Sequence, residues 1–311
     1  MNLSARLLPT FAILKHDLGT LASNWLVRIW IFASGLFVFM LLSGQWRSLP
    51  DGIMIAWVLS PYLVAPWFLV VIMLGVGPVA GGRTESLADG ILSRPVTRYE
   101  YLLASWAARV LIVLGAFLIV VVPAILAITL DAPPEPKNTT ADMFDAFGLQ
   151  AVSAAPDVTL YGVVVSLTVV SLVLTLQVSL AFLLGTLLRR QMVAVALLAI
   201  GWLFLASVLN QYHLEELSPF SLNRALPTLL KQSWNEPDVA PTEEGQAEFG
   251  DVFKQTSGVL GFGMSPEPQS NDKWYSDHFH DVSLVRVLLG YGLPTILSIA
   301  LATWCFCRRD L

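Results

Sequence analysis

The sequence predicts an all-α integral membrane protein with an N-terminal interfacial amphipathic helix, six transmembrane helices and a small exoplasmic cap between spans five and six. Three observations lead to this class. Of the 311 residues, 55% are hydrophobic and only 13% are charged, whereas soluble domains carry about 25% charged residues. Several apolar runs reach the length of about 20 residues that a helix needs to cross a bilayer. These runs lack the alternating pattern of barrel strands. They are therefore predicted to be helices, which satisfy their own backbone hydrogen bonds in lipid.

Six apolar stretches are predicted as spans, with edges uncertain by roughly 2 to 4 residues. They are Trp25 to Gly44, Ile53 to Gly77, Leu103 to Leu130, Leu160 to Leu188, Met192 to Leu209 and Leu284 to Cys307. The loops on the side of the N-terminus carry nine Lys and Arg against five Asp and Glu, whereas the other side is strongly acidic. Because cytoplasmic loops carry the excess of Lys and Arg, we expect a multi-pass protein of the inner (cytoplasmic) cell membrane with both termini in the cytoplasm.

Residues 1–24 are predicted to form an amphipathic helix along the membrane interface. Apolar residues recur at steps of three or four and polar residues lie elsewhere: Leu7, Phe11, Leu14, Leu18 and Leu21 against Lys15, Asp17 and Asn24. A signal peptide is disfavoured because Lys15, His16 and Asp17 interrupt the apolar run and no small-residue cleavage pattern follows. A frayed tail is the alternative interpretation.

The segment 210–283, between spans five and six, is predicted to be the exoplasmic cap. It is too poor in apolar residues to bury a large core of its own, so we expect short helices that rest on the membrane part or on a partner. Its acidic balance gives no support to a nucleic-acid partner. His278 and His280, beside Asp277 and Asp281, are metal-ligand types, but alternation on an exposed acidic stretch is typical of surface, and no metal site is predicted.

Polar residues inside the spans are interpreted as structural. Thr168, Ser171, Thr175 and Ser179 share one face of span four and Gln177 lies near its middle, a pattern that favours helix packing over a substrate path. Pro61 and Pro66 predict kinks in span two. Arg28, Arg109 and Arg286 lie within about one or two turns of a span end, so we expect them to snorkel to the interface and not to form a charge relay.

A short polar segment, GGRTESLADGILSRPVTRYEYLLASW, joins spans two and three on the cytoplasmic side. Glu85 or Asp89 suits the first turn of a short helix, and Leu87, Ile91 and Leu92 share one face of it. Pro95 ends this helix, and Thr97 with Glu100 is a capping-box pattern that starts the next. The segment 83–95 therefore predicts a short amphipathic helix parallel to the membrane, with a solvated connector as the alternative.

The stretch LADGILSRPVTRYEYLLASWAARV resembles the segment after span two in permeases of the ATP-binding cassette (ABC) transporters of the ABC-2 type, the type 2 exporters. FAILKHDLGTLASNWLVRIW resembles the amphipathic helix and first span of that family, FCRRDL resembles its basic Asp-Leu ending, and the six-span plan matches. Family members often have Glu followed by Gly-Thr where residues 82–88 here read GRTESLA.

The resemblance implies a mechanism. In such permeases the short helix docks into a groove on a separate ATPase subunit, and its motion passes to spans one, two and five. Leu87, Ile91, Leu92 and Pro95 would form the apolar anchor, and Arg83, Glu85, Arg94 and Arg98 would be rim or headgroup contacts. The chain has no G-x-x-x-x-G-K-(S/T) loop, so ATP and Mg²⁺ are expected on the partner ATPase.

The expected assembly is a dimer with a second permease copy or a related permease, in the lipid bilayer, and an exoplasmic protein is a further candidate partner. The sequence predicts no catalytic, cofactor-binding or metal-binding residues and no enzyme activity in this chain. An energy-independent carrier, or a membrane anchor or scaffold for an exoplasmic partner, is the alternative. A carrier would more often place ionisable residues at the bilayer midplane, and the spans have none at their centres.

Overall fold

The computed structural model describes residues 3–43, 51–64, 66–81, 98–130, 158–188, 190–211, 217–231 and 283–308, which are helical almost throughout and contain no strand. Within these ranges the helices are α1 (Leu3–Ser23), α2 (Trp25–Ser43), α3 (Asp51–Leu63), α4 (Trp67–Gly81), α5 (Arg98–Leu130), α6 (Leu160–Leu187), α7 (Gln191–Gln211), α8 (Pro219–Lys231) and α9 (Leu284–Arg308).

Five stretches of the described chain are long and apolar enough to cross a membrane. They are Trp25–Ser43, Asp51–Val76, Tyr99–Leu130, Leu160–Leu187 and Leu284–Arg308. The predicted fifth span lies in α7, where the apolar part, Gln191–Leu205, is shorter. The described part of the chain is therefore that of an all-helical membrane protein, and the sixth crossing stays a prediction.

The second apolar stretch is broken into two helices near its middle. The helix α3 ends at Leu63 and α4 begins at Trp67. Pro66 accounts for the position of the break, because a proline has no backbone N–H with which to continue the hydrogen bonds of a helix. Pro61, in contrast, remains inside α3. The kink that the two prolines predict thus takes the form of an interruption at Pro66.

The helix α6 is the centre of the bundle and is buried along most of its length. It packs against α3, α4, α5, α7, α8 and α9. The hydroxyls of its predicted polar face donate to carbonyl oxygens one turn earlier in the same helix: Thr168 to Val164, Ser171 to Leu167, Thr175 to Ser171 and Ser179 to Thr175, at 2.7 to 2.8 Å. Because these hydroxyls are satisfied within the helix, Ser171, Thr175 and Ser179 can lie at helix contacts, as the packing interpretation requires. Thr168, in contrast, is exposed, so the packing interpretation is wrong at this position.

The amphipathic helix α8 closes one end of the bundle, which we call the α8 end. Its buried Leu222, Leu226 and Leu230 belong to the main core, and it packs on α3, α6 and α7. The backbone N–H of Thr159 donates to the Leu230 carbonyl at 3.1 Å. On the other flank, the Tyr291 hydroxyl donates to the Leu217 carbonyl at 2.8 Å. The described residues of the predicted cap 210–283 are the end of α7, the helix α8 with the short turn before it, and Ser283. The helix α8 rests on the membrane part.

Substitution Tyr291→Phe tests the link between α8 and α9. We expect the free energy of unfolding, measured by denaturant titration in detergent micelles, to fall by about 1 kcal/mol, because the Leu217 carbonyl loses a buried donor. Tyr161→Phe is the matched control, since this tyrosine on α6 is 49% exposed and its loss should change little. Equal effects of the two changes would contradict the contact.

The helix α1 packs against the first half of α5 and against the start of α2. Leu14, Leu18 and Leu21 lie at least half-buried on its packed face, as predicted. Two positions correct the predicted pattern: Phe11 is 64% exposed, and Asp17 is half-buried among the packed residues. The reason is that Asp17 follows Leu14 by three residues and therefore shares its face. Asn24 separates α1 from α2, and its side-chain oxygen accepts from the Leu26 N–H at 3.1 Å.

Candidate functional site

The helices α4 and α6 approach each other closely near the end opposite α8. A Cβ built on Gly75 of α4 would collide with the Cβ of Ala181 on α6 and lie 3.2 Å from the Val178 carbonyl. A Cβ on Gly185 of α6 would in turn lie 3.0 Å from the Val76 carbonyl. Ala181 and Gly185 are four residues apart, the spacing that lets two membrane helices bring their backbones together. The α4 and α6 backbones are thus interlocked at this level.

Arg109 of α5 is buried at the same level, and its side chain is only 1% exposed. Its guanidinium donates to the Gly75 carbonyl at 3.3 Å and to the Ser105 hydroxyl at 3.2 Å. The guanidinium carbon also lies 4.6 Å from the centre of the Phe182 ring, a cation–π contact. The Arg109 Nε has no hydrogen-bond partner among the described residues. One side chain of α5 therefore contacts both interlocked helices.

The prediction that Arg109 snorkels to the interface is wrong. Gly75 has no side chain, and Ser105, one turn before Arg109, is small, so the guanidinium reaches a carbonyl inside the bundle and not the interface. The side chains of Arg28 and Arg286 are exposed, and their snorkelling to the interface stays a prediction.

Neighbouring contacts extend this junction. The Trp106 indole N–H donates to the Ser179 hydroxyl at 3.0 Å, a second polar link from α5 to α6. Phe182 packs with Leu102 of α5 and Ala302 of α9 in a small buried cluster. The helices α4, α5, α6 and α9 thus meet around Arg109, and we call this set of contacts the Arg109 junction.

A second group of buried polar atoms lies between α2 and α3. The ring centres of Trp30 and Tyr62 are 6.1 Å apart, and those of Tyr62 and Phe117 are 4.9 Å apart. The Tyr62 hydroxyl lies next to the Ser34 hydroxyl, and the indole N–H of Trp30 has no hydrogen-bond partner among the described residues. The rings pack directly on one another, so this group is an aromatic contact between helices.

Gln177, near the middle of α6, is 1% exposed, and both atoms of its amide group lack a partner in the described part of the chain. The structure therefore places this residue inside the bundle and away from lipid, which agrees with its interpretation as a packing residue.

Most of the predicted coupling helix lies outside the described residues. This applies to Arg83, Glu85, Leu87, Ile91, Leu92, Arg94 and Pro95, and to His278 and His280 of the cap. Its two flanks are described: α4 ends at Gly81, and α5 begins at Arg98, directly after the predicted capping residue Thr97. At the end of α9, Cys305 is half-buried and Cys307 is exposed, and both are free thiols. In the described ranges, no three His, Cys, Asp or Glu residues gather as metal ligands.

Two features of the sequence are typical of a junction like that at Arg109. Tyr101, Ser105 and Arg109 recur every fourth residue, which places a polar stripe on one face of an apolar helix. Ala181 and Gly185 form a small-x-x-x-small pattern in span four. Each signal is common in membrane helices, and only the fold brings the two together.

No protein-family model matches the chain, and no curated protein sequence matches it significantly.

Proposed function

We propose that the chain is the membrane permease subunit of an ATP-driven exporter of the ABC-2 type, which couples ATP hydrolysis by a separate subunit to substrate export or to conformational signalling across the membrane. The support is the resemblance of the polar segment, the N-terminal helix and the tail to that family, together with an all-helical bundle whose apolar helices can span a membrane. The proposal includes six spans, both termini in the cytoplasm and a coupling helix at 83–95.

The observation that carries the proposal is the position of the Arg109 junction relative to that segment. Residues 82–97 connect the end of α4 to the start of α5. These same helices are joined by the hydrogen bond from Arg109 to Gly75, and α4 is interlocked with α6. A displacement of the segment would therefore pass to α6, which contacts six other helices. Such a connected path is what an ATPase acting at the segment would need.

The proposed ATPase partner is inferred from the absence of an ATP-binding motif in the 311 residues. They contain no P-loop pattern, so the proposed ATPase is another chain, and it binds ATP and Mg²⁺. Because two such ATPase subunits close on each other, the complex would contain two permease chains, either two copies of this one or this one and a relative. The cap 210–283 would face an exoplasmic protein or the substrate.

An energy-independent carrier remains the alternative, and the chemistry of Arg109 helps to distinguish it from the proposed permease. A buried ionisable residue inside a span is the kind of group that a proton-coupled carrier uses. A guanidinium, however, stays protonated in proteins, so Arg109 cannot relay protons. Its contacts with α4 and α6 suit a junction between moving parts better.

Substitution Leu92→Asp tests the proposed docking to an ATPase. We expect the variant to stay in the membrane but to bind its ATPase roughly 30-fold more weakly, because an apolar anchor residue at the centre of an interface is worth about 2 kcal/mol. The measurement is the amount of ATPase retained on the tagged chain in mild detergent.

Ser93→Asp is the matched control, since it adds the same charge at the next residue, away from the predicted apolar face. Retention of the ATPase by Leu92→Asp at the level of Ser93→Asp would contradict the docking.

A further inference from the structure

The outer face of α1 carries an open depression, which we call the basic depression. The residues that line it recur at steps of three and four along one side of the helix: Ala12, Lys15, His16, Gly19, Thr20 and Ser23. Four of them are small, so they leave space beside the two longer side chains. Lys15 and His16 are exposed, and neither side chain has a hydrogen bond or an ion pair within the described part of the chain.

The chemistry of the basic depression suits an anion. A lysine presents an ammonium group, and a histidine presents an N–H donor in either protonation state. The hydroxyls of Thr20 and Ser23 donate to the carbonyls of His16 and Thr20 at 3.0 and 2.8 Å, so their single protons are already used within the helix. The neighbouring carboxylate, Asp17, is half-buried on the packed face of α1. Lys15 and His16 therefore supply the free donors of this surface.

An apolar groove between α1 and α5 adjoins the basic depression. It is lined by Thr10, Phe11, Leu14, Leu103, Ala104, Trp106 and Ala107. Phe11 of the groove and Lys15 of the depression are four residues apart on α1, the spacing at which helix side chains are neighbours. A ligand with a charged end and an apolar end can thus occupy both surfaces at once.

The apolar groove lies at the level where a membrane changes from headgroups to acyl chains. The apolar stretch Tyr99–Leu130 has 32 residues, which is about 48 Å of helix and exceeds the hydrocarbon core of about 30 Å. Its ends therefore reach the headgroup level. The α5 residues of the groove, from Leu103 to Ala107, come four to eight positions after Tyr99, about 6 to 12 Å along the helix.

We propose that α1 and α5 bind an anionic phospholipid, with its phosphate group on Lys15 and His16 and an acyl chain in the apolar groove. The phosphate accepts charge-assisted hydrogen bonds from these two side chains. A soluble anion would use the basic depression alone, whereas a phospholipid uses both surfaces and accounts for their adjacency. The lipid site goes beyond the proposed function, because it needs no ATPase.

The test uses the purified chain in neutral detergent micelles. Phosphatidylglycerol with a fluorescent label on one acyl chain reports binding through its anisotropy, and unlabelled lipids with identical acyl chains compete with it. Phosphatidylglycerol is expected to compete about tenfold more strongly than zwitterionic phosphatidylcholine, since each basic residue near an anionic lipid contributes about a fivefold preference.

Lys15→Gln is expected to weaken the binding of phosphatidylglycerol about fivefold and to leave that of phosphatidylcholine unchanged. Arg190→Gln is the matched control, because Arg190 is also exposed but lines neither surface. Ala107→Leu adds volume in the apolar groove and is expected to weaken the binding of both lipids alike.

The lipid site is refuted if the two lipids compete equally, if Lys15→Gln keeps the full preference, or if Arg190→Gln lowers the preference as much. Unchanged binding by the Ala107→Leu variant would overturn the acyl-chain position. Displacement of the label by glycerol phosphate or by an acidic peptide as effectively as by phosphatidylglycerol would also overturn the proposal, since the site would then be one for soluble anions. None of these outcomes bears on whether an ATPase binds elsewhere.

Discussion

Substitution Gly75→Leu is expected to lower the free energy of unfolding by about 3 kcal/mol. Its side chain would enter the space held by Ala181 and the Val178 carbonyl of α6, and overpacking of this kind costs about 1 to 3 kcal/mol or more. The loss exceeds the roughly 1 kcal/mol that leucine gains over glycine in helix propensity. The measurement is a denaturant titration of the purified chain in detergent micelles.

Gly35→Leu is the matched control for this change. It is also a glycine inside an apolar helix, α2, but a Cβ there meets nothing within 4 Å. The control is expected to be neutral or slightly stabilising. A Gly75→Leu variant as stable as Gly35→Leu would show that α4 and α6 are not interlocked at this level.

Two substitutions of Arg109 are expected to change the free energy of unfolding in opposite directions. Arg109→Met keeps most of the side-chain volume and removes a buried charge, so the free energy of unfolding should rise by about 1 kcal/mol. Arg109→Ala removes the charge and the volume together, and the cavity should lower the free energy of unfolding by about 3 kcal/mol. The same titration measures both.

The exposed Arg28, on α2, supplies the control, because Arg28→Met and Arg28→Ala should differ little. The account of Arg109 as a costly buried cation would be wrong if Arg109→Met destabilised the chain as much as Arg109→Ala. That result would mean that the hydrogen bonds to Gly75 and Ser105 outweigh the desolvation of the charge.

The limits of the apolar helices could be predicted from the sequence because long apolar runs have few alternatives in a membrane. The predicted span Leu160 to Leu188 is the helix Leu160–Leu187, and the predicted end of span three at Leu130 is the end of α5. The break at Pro66 is likewise a local effect, because a proline lacks the backbone N–H that a helix needs. Local chemistry decides these features, so one sequence is enough.

The surroundings of Arg109 could not be predicted in the same way. Distance from a span end suggested snorkelling, but the outcome depends on a carbonyl of α4 and a ring of α6, which only packing places near α5. Asp17 was assigned to the polar side of α1 for a similar reason: its half-buried position depends on α5, which lies more than 80 residues away in the chain. The coupling helix 83–95 stays a prediction, because only its flanking helices are described.

The most direct test of the proposed function is to purify the tagged chain from its native membranes in mild detergent and to identify what comes with it. The account predicts a separate P-loop ATPase subunit in stoichiometric amount and ATP hydrolysis by the purified complex. A chain that retains no P-loop ATPase and shows no associated ATP hydrolysis, while remaining folded by denaturant titration, would contradict the central claim and favour the carrier or scaffold alternative.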